Sequence, residues 1–187
     1  MMIPTADDIK TVTDLRENTL SLLALVQKKD RPTIIMHNNS PKAVMLSIDE
    51  YNNLMEAIED YRDELEAIEL EKQAKKATKN ELITLKDIAK KHRLKIWYMA
   101  QFEVLFLKKV DKQLNQIHPN DKKKAFEFFD KLTNAAFPQS VDIAKMSGTQ
   151  DSYRAKIGKL RIIYTLIQEE KRIIITKVKY RKSAYRN

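Results

Sequence analysis

The 187-residue sequence has no cysteine, so disulfides and thiolate metal sites are excluded. Its three histidines, His37, His92 and His118, lie far apart, which argues against a histidine metal cluster. No metal or cofactor is expected. No apolar run approaches the roughly eighteen residues that a membrane span needs. The opening MMIPTADDIK has neither a basic n-region nor an apolar h-region. No secretory signal is therefore expected, and the cytoplasm is the expected compartment.

What the chain does have is positive charge, unevenly placed. The net charge of +9 divides into −2 for residues 1–94 (15 Lys+Arg, 17 Asp+Glu) and +11 for residues 95–187 (20 and 9). Residues 49–71 hold ten acids against the single base Arg62. Such asymmetry points to two functional units, one suited to a polyanion such as nucleic acid.

In the first half, TVTDLRENTLSLLALVQKK predicts a helix capped by Thr13 after an irregular start. TIIM and AVML flank the turn formers Asn38, Asn39, Ser40 and Pro41 and predict a hairpin. Ser47 and Glu50 have capping-box spacing. The helix that follows carries Tyr51, Leu54, Ile58, Tyr61, Leu65 and Ile68 as an a/d seam suited to lie against a partner. Residues 72–80, KQAKKATKN, read as a flexible break, and a short helix from about Thr84 presents Leu85, Ile88 and Ala89.

VTDLREN, PTIIMHNNSPKAVMLS and SIDEYNNL, in this order over residues 9–93, resemble the Phd/YefM antitoxin family. The resemblance implies a compact part that dimerises and binds operator DNA, and a helical tail that wraps a toxin. Arg16 matches the arginine such antitoxins place on DNA phosphates, and an exposed helix residue is the plainer reading of it. His37 and Ser40 stand where the family usually has a basic residue and a glycine, which weakens the expected phosphate contact at His37. The seam residues, with Leu85 and Ile88, are the expected toxin-neutralising set.

In the second half, IWYMAQFEV predicts a strand. An amphipathic helix on Leu107, Val110, Leu114 and Ile117 and another capped by Asn120 or Asp121 follow. DIAKMSG, SYRAKIG, LRIIYTLIQ and RIIITKVKY are strand-like. Two helices on one face of a mostly antiparallel sheet are implied, and the whole chain reads as α+β. The expected organisation is a DNA-binding and dimerisation domain over 1–50, a neutralising tail over 51–94 and a toxin domain over 95–187.

YRAKIGKLRIIYTL followed by ITKVKYRKSAY resembles the RelE/ParE toxin superfamily over residues 96–187. The RelE branch implies cleavage of mRNA in the ribosome, and the ParE branch a gyrase-directed protein that cuts nothing. Cleavage by a ribose 2′-OH needs a base, charge stabilisation at phosphorus and an acid for the leaving oxygen. Arg154 and Lys156, two apart on a strand, leave the same face, and Arg161 follows across the Gly158 turn. Arg154 and Arg161 are expected to hold phosphate charge and Lys156, uncharged, to act as base. Arg181 is expected as leaving-group acid or second clamp, and Tyr185 as base or stacking platform. Lys145 and Lys122, Lys123 and Lys124 are candidate RNA contacts. Lys179 and Tyr180 replace the usual His or Gly before the final arginine.

A self-neutralised endoribonuclease that represses its own operator and dimerises is the leading expectation. A non-enzymatic regulator with a gyrase-directed or inactive toxin half, or a general RNA-binding protein, are the alternatives.

Overall fold

The computed structural model describes residues 5–28, 31–94 and 101–181. They form two compact units, Met1–Asp60 and Tyr61–Lys182. The class is α+β, as expected. No helix among the described residues is long and apolar enough to cross a membrane.

In the first unit β1 (Ile9–Thr11) runs parallel to β2 (Thr33–His37), and β3 (Ser40–Met45) returns antiparallel to β2. The hairpin turn is Asn38-Asn39, at φ 48° and 59°. Two left-handed residues make the turn whose twist matches the flanking strands, and asparagine tolerates that region. β1 lies where only an irregular start was expected, because three residues carry no readable period.

The single helix expected after Thr13 is two, α1 (Val12–Glu17) and α2 (Thr19–Lys28). Its cap is Thr11, not Thr13. The Thr11 hydroxyl accepts the Asp14 N–H at 3.0 Å while the Asp14 carboxylate accepts the Thr11 N–H at 2.7 Å. The break falls at Asn18, where the Thr19 hydroxyl bends back to donate to the Leu15 carbonyl at 2.6 Å. Leu22, Val26 and Ile35 are the buried apolar residues of this unit. The Ser47 hydroxyl accepts the Glu50 N–H at 3.0 Å and starts α3 (Ile48–Lys76), which continues into the second unit.

α3 does not break at Lys72. Lysine, glutamine and alanine are good helix formers, Ala74 is buried, and Lys75 reaches back to Glu71 at 2.8 Å. After it comes β4 (Leu82–Thr84), too short to be read from sequence, and α4 (Leu85–Lys91), whose Asp87 N–H is capped by the Thr84 hydroxyl at 3.2 Å.

β5 (Glu103–Leu107) opens the second half, residues 96–100 of the expected first strand lying outside the described residues. α5 (Lys108–Asn115) and α6 (Pro119–Asn134) form the helical hairpin. His118 caps α6, in place of Asn120 or Asp121, because Pro119 occupies the first helical position. β6 (Asp142–Lys145), β7 (Ser152–Ile157), β8 (Leu160–Ile167) and β9 (Arg172–Tyr180) complete a six-stranded sheet ordered β4-β5-β9-β8-β7-β6. Every pairing is antiparallel except β5 with β9, because the helical hairpin and the meander bring the chain back alongside β5 in its own direction.

Strand alternation gives this sheet two different faces. Ile162, Tyr164 and Val178 pack with Val110, Leu114, Phe128, Phe129 and Leu132 of α5 and α6 into the main core. Ile163, on the other face, is buried with Ala67 and Leu70 of α3 and with Met146. The tail thus contributes an edge strand (β4), a core helix (α4 with Leu85 and Ile88) and a cover for the second face.

Candidate functional site

The second face is built from register. Lys156 stands opposite Arg161, and Arg161 opposite Lys179, which places three cations in one row across β7, β8 and β9. Two residues along, Arg154, Ile163 and Lys177 form the next row on the same face. Five cations around one isoleucine would repel one another in a bare sheet, so this face calls for an anion.

α3 supplies it. Asp63, 1% exposed, places Oδ1 2.5 Å from the Lys179 ammonium and Oδ2 3.4 Å from Nη1 of Arg161, itself 1% exposed. Glu66 pairs with Lys177 one helical turn on. Ala67 and Leu70 then sit on Ile163. At the far end Glu71 accepts the N–H groups of Gln150 and Asp151 at 3.1 and 3.2 Å and the Ser152 hydroxyl at 3.4 Å. Lys75 bridges Glu71 and Asp151 at 2.8 and 2.7 Å. The hydrogen bonds to Asp151 and Glu71 hold its ammonium above the usual lysine range.

The docking face of α3 differs from the expected seam. Tyr51, Leu54, Ile58, Tyr61, Leu65 and Ile68 are exposed to a third or more, whereas Asp63, Ala67, Leu70, Glu71 and Ala74 are buried. Small residues let the helix lie close on the sheet, and carboxylates answer the cations. The approach is close enough that a Cβ on Gly148 (φ +73°) would meet Ile68 Cδ1 at 3.1 Å. Leu85 and Ile88, by contrast, are fully packed in the core.

Of the residues expected from sequence, Arg154, Lys156 and Arg161 share this face. Lys156 lies toward its margin, 3.8 Å from Asp142. Arg181 follows β9, exposed, its N–H donating to the Lys159 carbonyl at 2.7 Å. Tyr185 lies outside the described residues. Lys122, Lys123 and Lys124 open α6, packed on the other face. Lys145 pairs in register with Tyr153, which stacks at 5.7 Å on Tyr164 of that other face. These four lysines are therefore away from the cationic rows. Arg16 and His37 are exposed in the first unit, Arg16 lying 3.6 Å from Glu17.

Asp63, Glu71 and Lys179 belong to the site and were not singled out from sequence. The available signal was the spacing Asp63, Ala67, Leu70, Glu71, Ala74, a three-four repeat of small and acidic residues hidden beside a more apolar one. Tyr180, next to Lys179, has a structural task instead. Its hydroxyl accepts the His118 N–H at 2.9 Å and donates to Asp121 at 3.1 Å, tying β9 to the helical hairpin. Among the described residues no group of three His, Asp or Glu is placed to hold a metal ion.

The model of the Phd/YefM antitoxins of type II toxin–antitoxin systems matches residues 7–81. The second half is similar to the RelE1 toxin-family protein of Methanocaldococcus jannaschii, 35% identical over 88 residues, which span 46% of this chain and 98% of that protein. The chain belongs to the RelE toxin family. Ahead of that toxin part it carries a Phd/YefM antitoxin domain, so one polypeptide holds both parts of a toxin–antitoxin module. A solved RelE–RelB complex from Pyrococcus horikoshii is 34% identical, covering 44% of this chain and 98% of that one, with a TM-score of 0.41. A RelB–RelE complex from Methanococcus jannaschii is 22% identical over 40% of this chain and 87% of that one, at a TM-score of 0.36.

Proposed function

We propose that the toxin part is an endoribonuclease acting on ribosome-bound mRNA, and that α3 of the same chain keeps it silent by covering its phosphate-binding face. The observation carrying this reading is Asp63, a buried carboxylate held between Arg161 and Lys179 where a phosphodiester would be bound. Guanidinium and ammonium groups that neutralise a carboxylate here are equally suited to the charge that builds on phosphorus during 2′-OH attack. Arg161, clamped by neighbouring strands, is the main stabiliser, and Arg154 supports it from the next row. Lys156 at the margin is the proposed base. Lys179, beside Arg161 in register, takes the leaving-group or second-clamp role first given to Arg181.

The first unit is proposed to dimerise and to bind operator DNA, with Arg16 contacting phosphate and His37 near it, so that the cytoplasmic chain represses its own gene. The exposed positions of both side chains support that reading.

The test compares the full chain with an Asp63→Lys/Glu71→Lys variant on translating ribosomes. Cleavage of mRNA by the variant, lost on adding Arg161→Ala, is expected. Expression of the opened full-length chain should arrest growth. If that chain is harmless and leaves mRNA intact, the nuclease reading gives way to a gyrase-directed or inactive toxin part.

A further inference from the structure

We infer a second phosphate-binding subsite in the loop from Met146 to Ser152, formed by the N–H groups of Gln150 and Asp151 with the Ser152 hydroxyl. It rests on the nuclease reading above and adds to it where a second part of the RNA is held.

The donors converge on one anion. Both amides and the hydroxyl point at the Glu71 carboxylate, which is contributed by α3 and not by the toxin part. Ser152 is wholly buried, and its hydroxyl also meets that of Thr165 at 3.0 Å. Backbone amides aimed at one point form an anion-binding concavity, independent of sequence and of pH.

The concavity is held by the toxin part's own hydrogen bonds. The Met146 N–H donates to the Ser152 carbonyl at 3.0 Å, the Leu166 N–H to the Asp151 carbonyl at 2.9 Å, and the Thr149 hydroxyl to the Met146 carbonyl at 2.7 Å. Gly148, at φ +73°, lets the chain turn there. None of these bonds involves α3, although Met146 packs on Ala67 and Leu70 and Lys75 reaches Gln150 at 3.3 Å, so the turn keeps its own hydrogen bonds when α3 leaves. With Glu71 gone, these two N–H groups and the Ser152 hydroxyl are open to another acceptor. The Asp151 carboxylate stands at the rim, 45% exposed to solvent, and its partner Lys75 belongs to α3 and leaves with it.

The spacing fits a strand of RNA. Asp63 and Glu71 are eight residues apart on one helix, about 12 Å along its axis. Arg161 and Thr165 are four residues apart on β8, about 13 Å. The helix therefore runs along the strand, its two carboxylates at opposite ends of a face that is cationic at one end and amide-lined at the other. One phosphate cannot span that distance. A phosphodiester at Arg161 and Lys179 and another further along the same strand can.

The experiment uses the full-length Asp63→Lys/Glu71→Lys chain, in which α3 is repelled from the face. Uncleavable 2′-deoxy oligonucleotides are titrated by fluorescence anisotropy, one with a single phosphate and one of six nucleotides. Adding Ser152→Ala should weaken the six-mer about tenfold, the loss of one hydrogen bond to a charged group, and leave the single-phosphate ligand unchanged. Adding Arg161→Ala should weaken both. The amide resonances of Gln150 and Asp151 should move with the six-mer only, a readout independent of any effect of Ser152→Ala on folding. If Arg161→Ala weakens binding while Ser152→Ala and those amides do not respond, the subsite is wrong and the nuclease reading stands. If neither variant alters binding, the nuclease reading itself falls.

Discussion

Asp63 of α3 lies 2.5 Å from the Lys179 ammonium across 116 residues of sequence, and both stand beside the buried guanidinium of Arg161. A carboxylate of α3 is thereby buried on the cationic face of the six-stranded sheet. Removing the carboxylate strips two buried cations of the anion they share. Asp63→Ala should destabilise the second unit by about 3–5 kcal/mol. Glu66→Ala, which removes a carboxylate 46% exposed to solvent, should cost under about 1 kcal/mol. Urea unfolding of the full chain measures both.

The packing of α3 predicts a contrast between its faces. Leu70→Ala empties a buried position against Ile163 and Met146 and should cost about 2–4 kcal/mol. Leu65→Ser, on the exposed seam, should change stability by no more than about 0.5 kcal/mol. The reverse order would show that the seam is the face that grips the toxin part.

A pH dependence follows from His92, on the last turn of the tail. Burial and the Lys122 ammonium hold its imidazole below the usual histidine range, partly opposed by Asp111 of α5 at 3.2 Å. A histidine with a depressed folded value takes up its proton more readily when unfolded. Stability is therefore full above about pH 6.5 and declines as pH falls from there to the folded value. The urea midpoint should drop between pH 7 and pH 5.5, and His92→Asn should flatten that slope while lowering the midpoint at pH 7. An unchanged slope in His92→Asn would assign the dependence elsewhere.

Lys179 and Arg181 should separate kinetically. In the Asp63→Lys/Glu71→Lys chain, Lys179→Ala is expected to slow mRNA cleavage by about a hundredfold, the scale of one lost charge-stabilising donor. Arg181→Ala, beyond the end of β9, should slow it by less. Equal or reversed losses in single-turnover assays would return the role to Arg181.

In the first unit, Arg16→Ala should weaken binding to upstream DNA and lower the slope of log affinity against log salt by about one, as loss of a single phosphate contact does. A mobility shift that survives the change would remove Arg16 from the interface.

Much of this was legible in the sequence. The Asn38-Asn39 turn, the start of α3 at Ser47, the helical hairpin and the meander from β6 to β9 all follow from local patterns that packing did not override. Arg154 and Lys156 were placed on one face by strand alternation, and Arg161 beside them by the turn at Gly158. The docking of α3 was not legible. Tyr51 to Ile68 form the stronger apolar repeat, and sequence reasoning favours apolar repeats as buried faces. What decided the buried face was a cationic partner whose distance in sequence no local pattern records, and against it the weaker repeat from Asp63 to Ala74 wins. β1 and β4, at three residues each, are specified by the strand they pair with. Lys179 stood out in the sequence only as a departure from the family pattern, because its place beside Arg161 is a matter of register.

The most direct measurement is cleavage of ribosome-bound mRNA by the intact chain and by its Asp63→Lys/Glu71→Lys variant, with hydrogen exchange reporting whether α3 has left the sheet. The account predicts a silent intact chain, a variant whose α3 amides lose protection and which cleaves, and no cleavage once Arg161→Ala is added. An intact chain as active as the variant, or a variant with α3 detached and no activity, would contradict it.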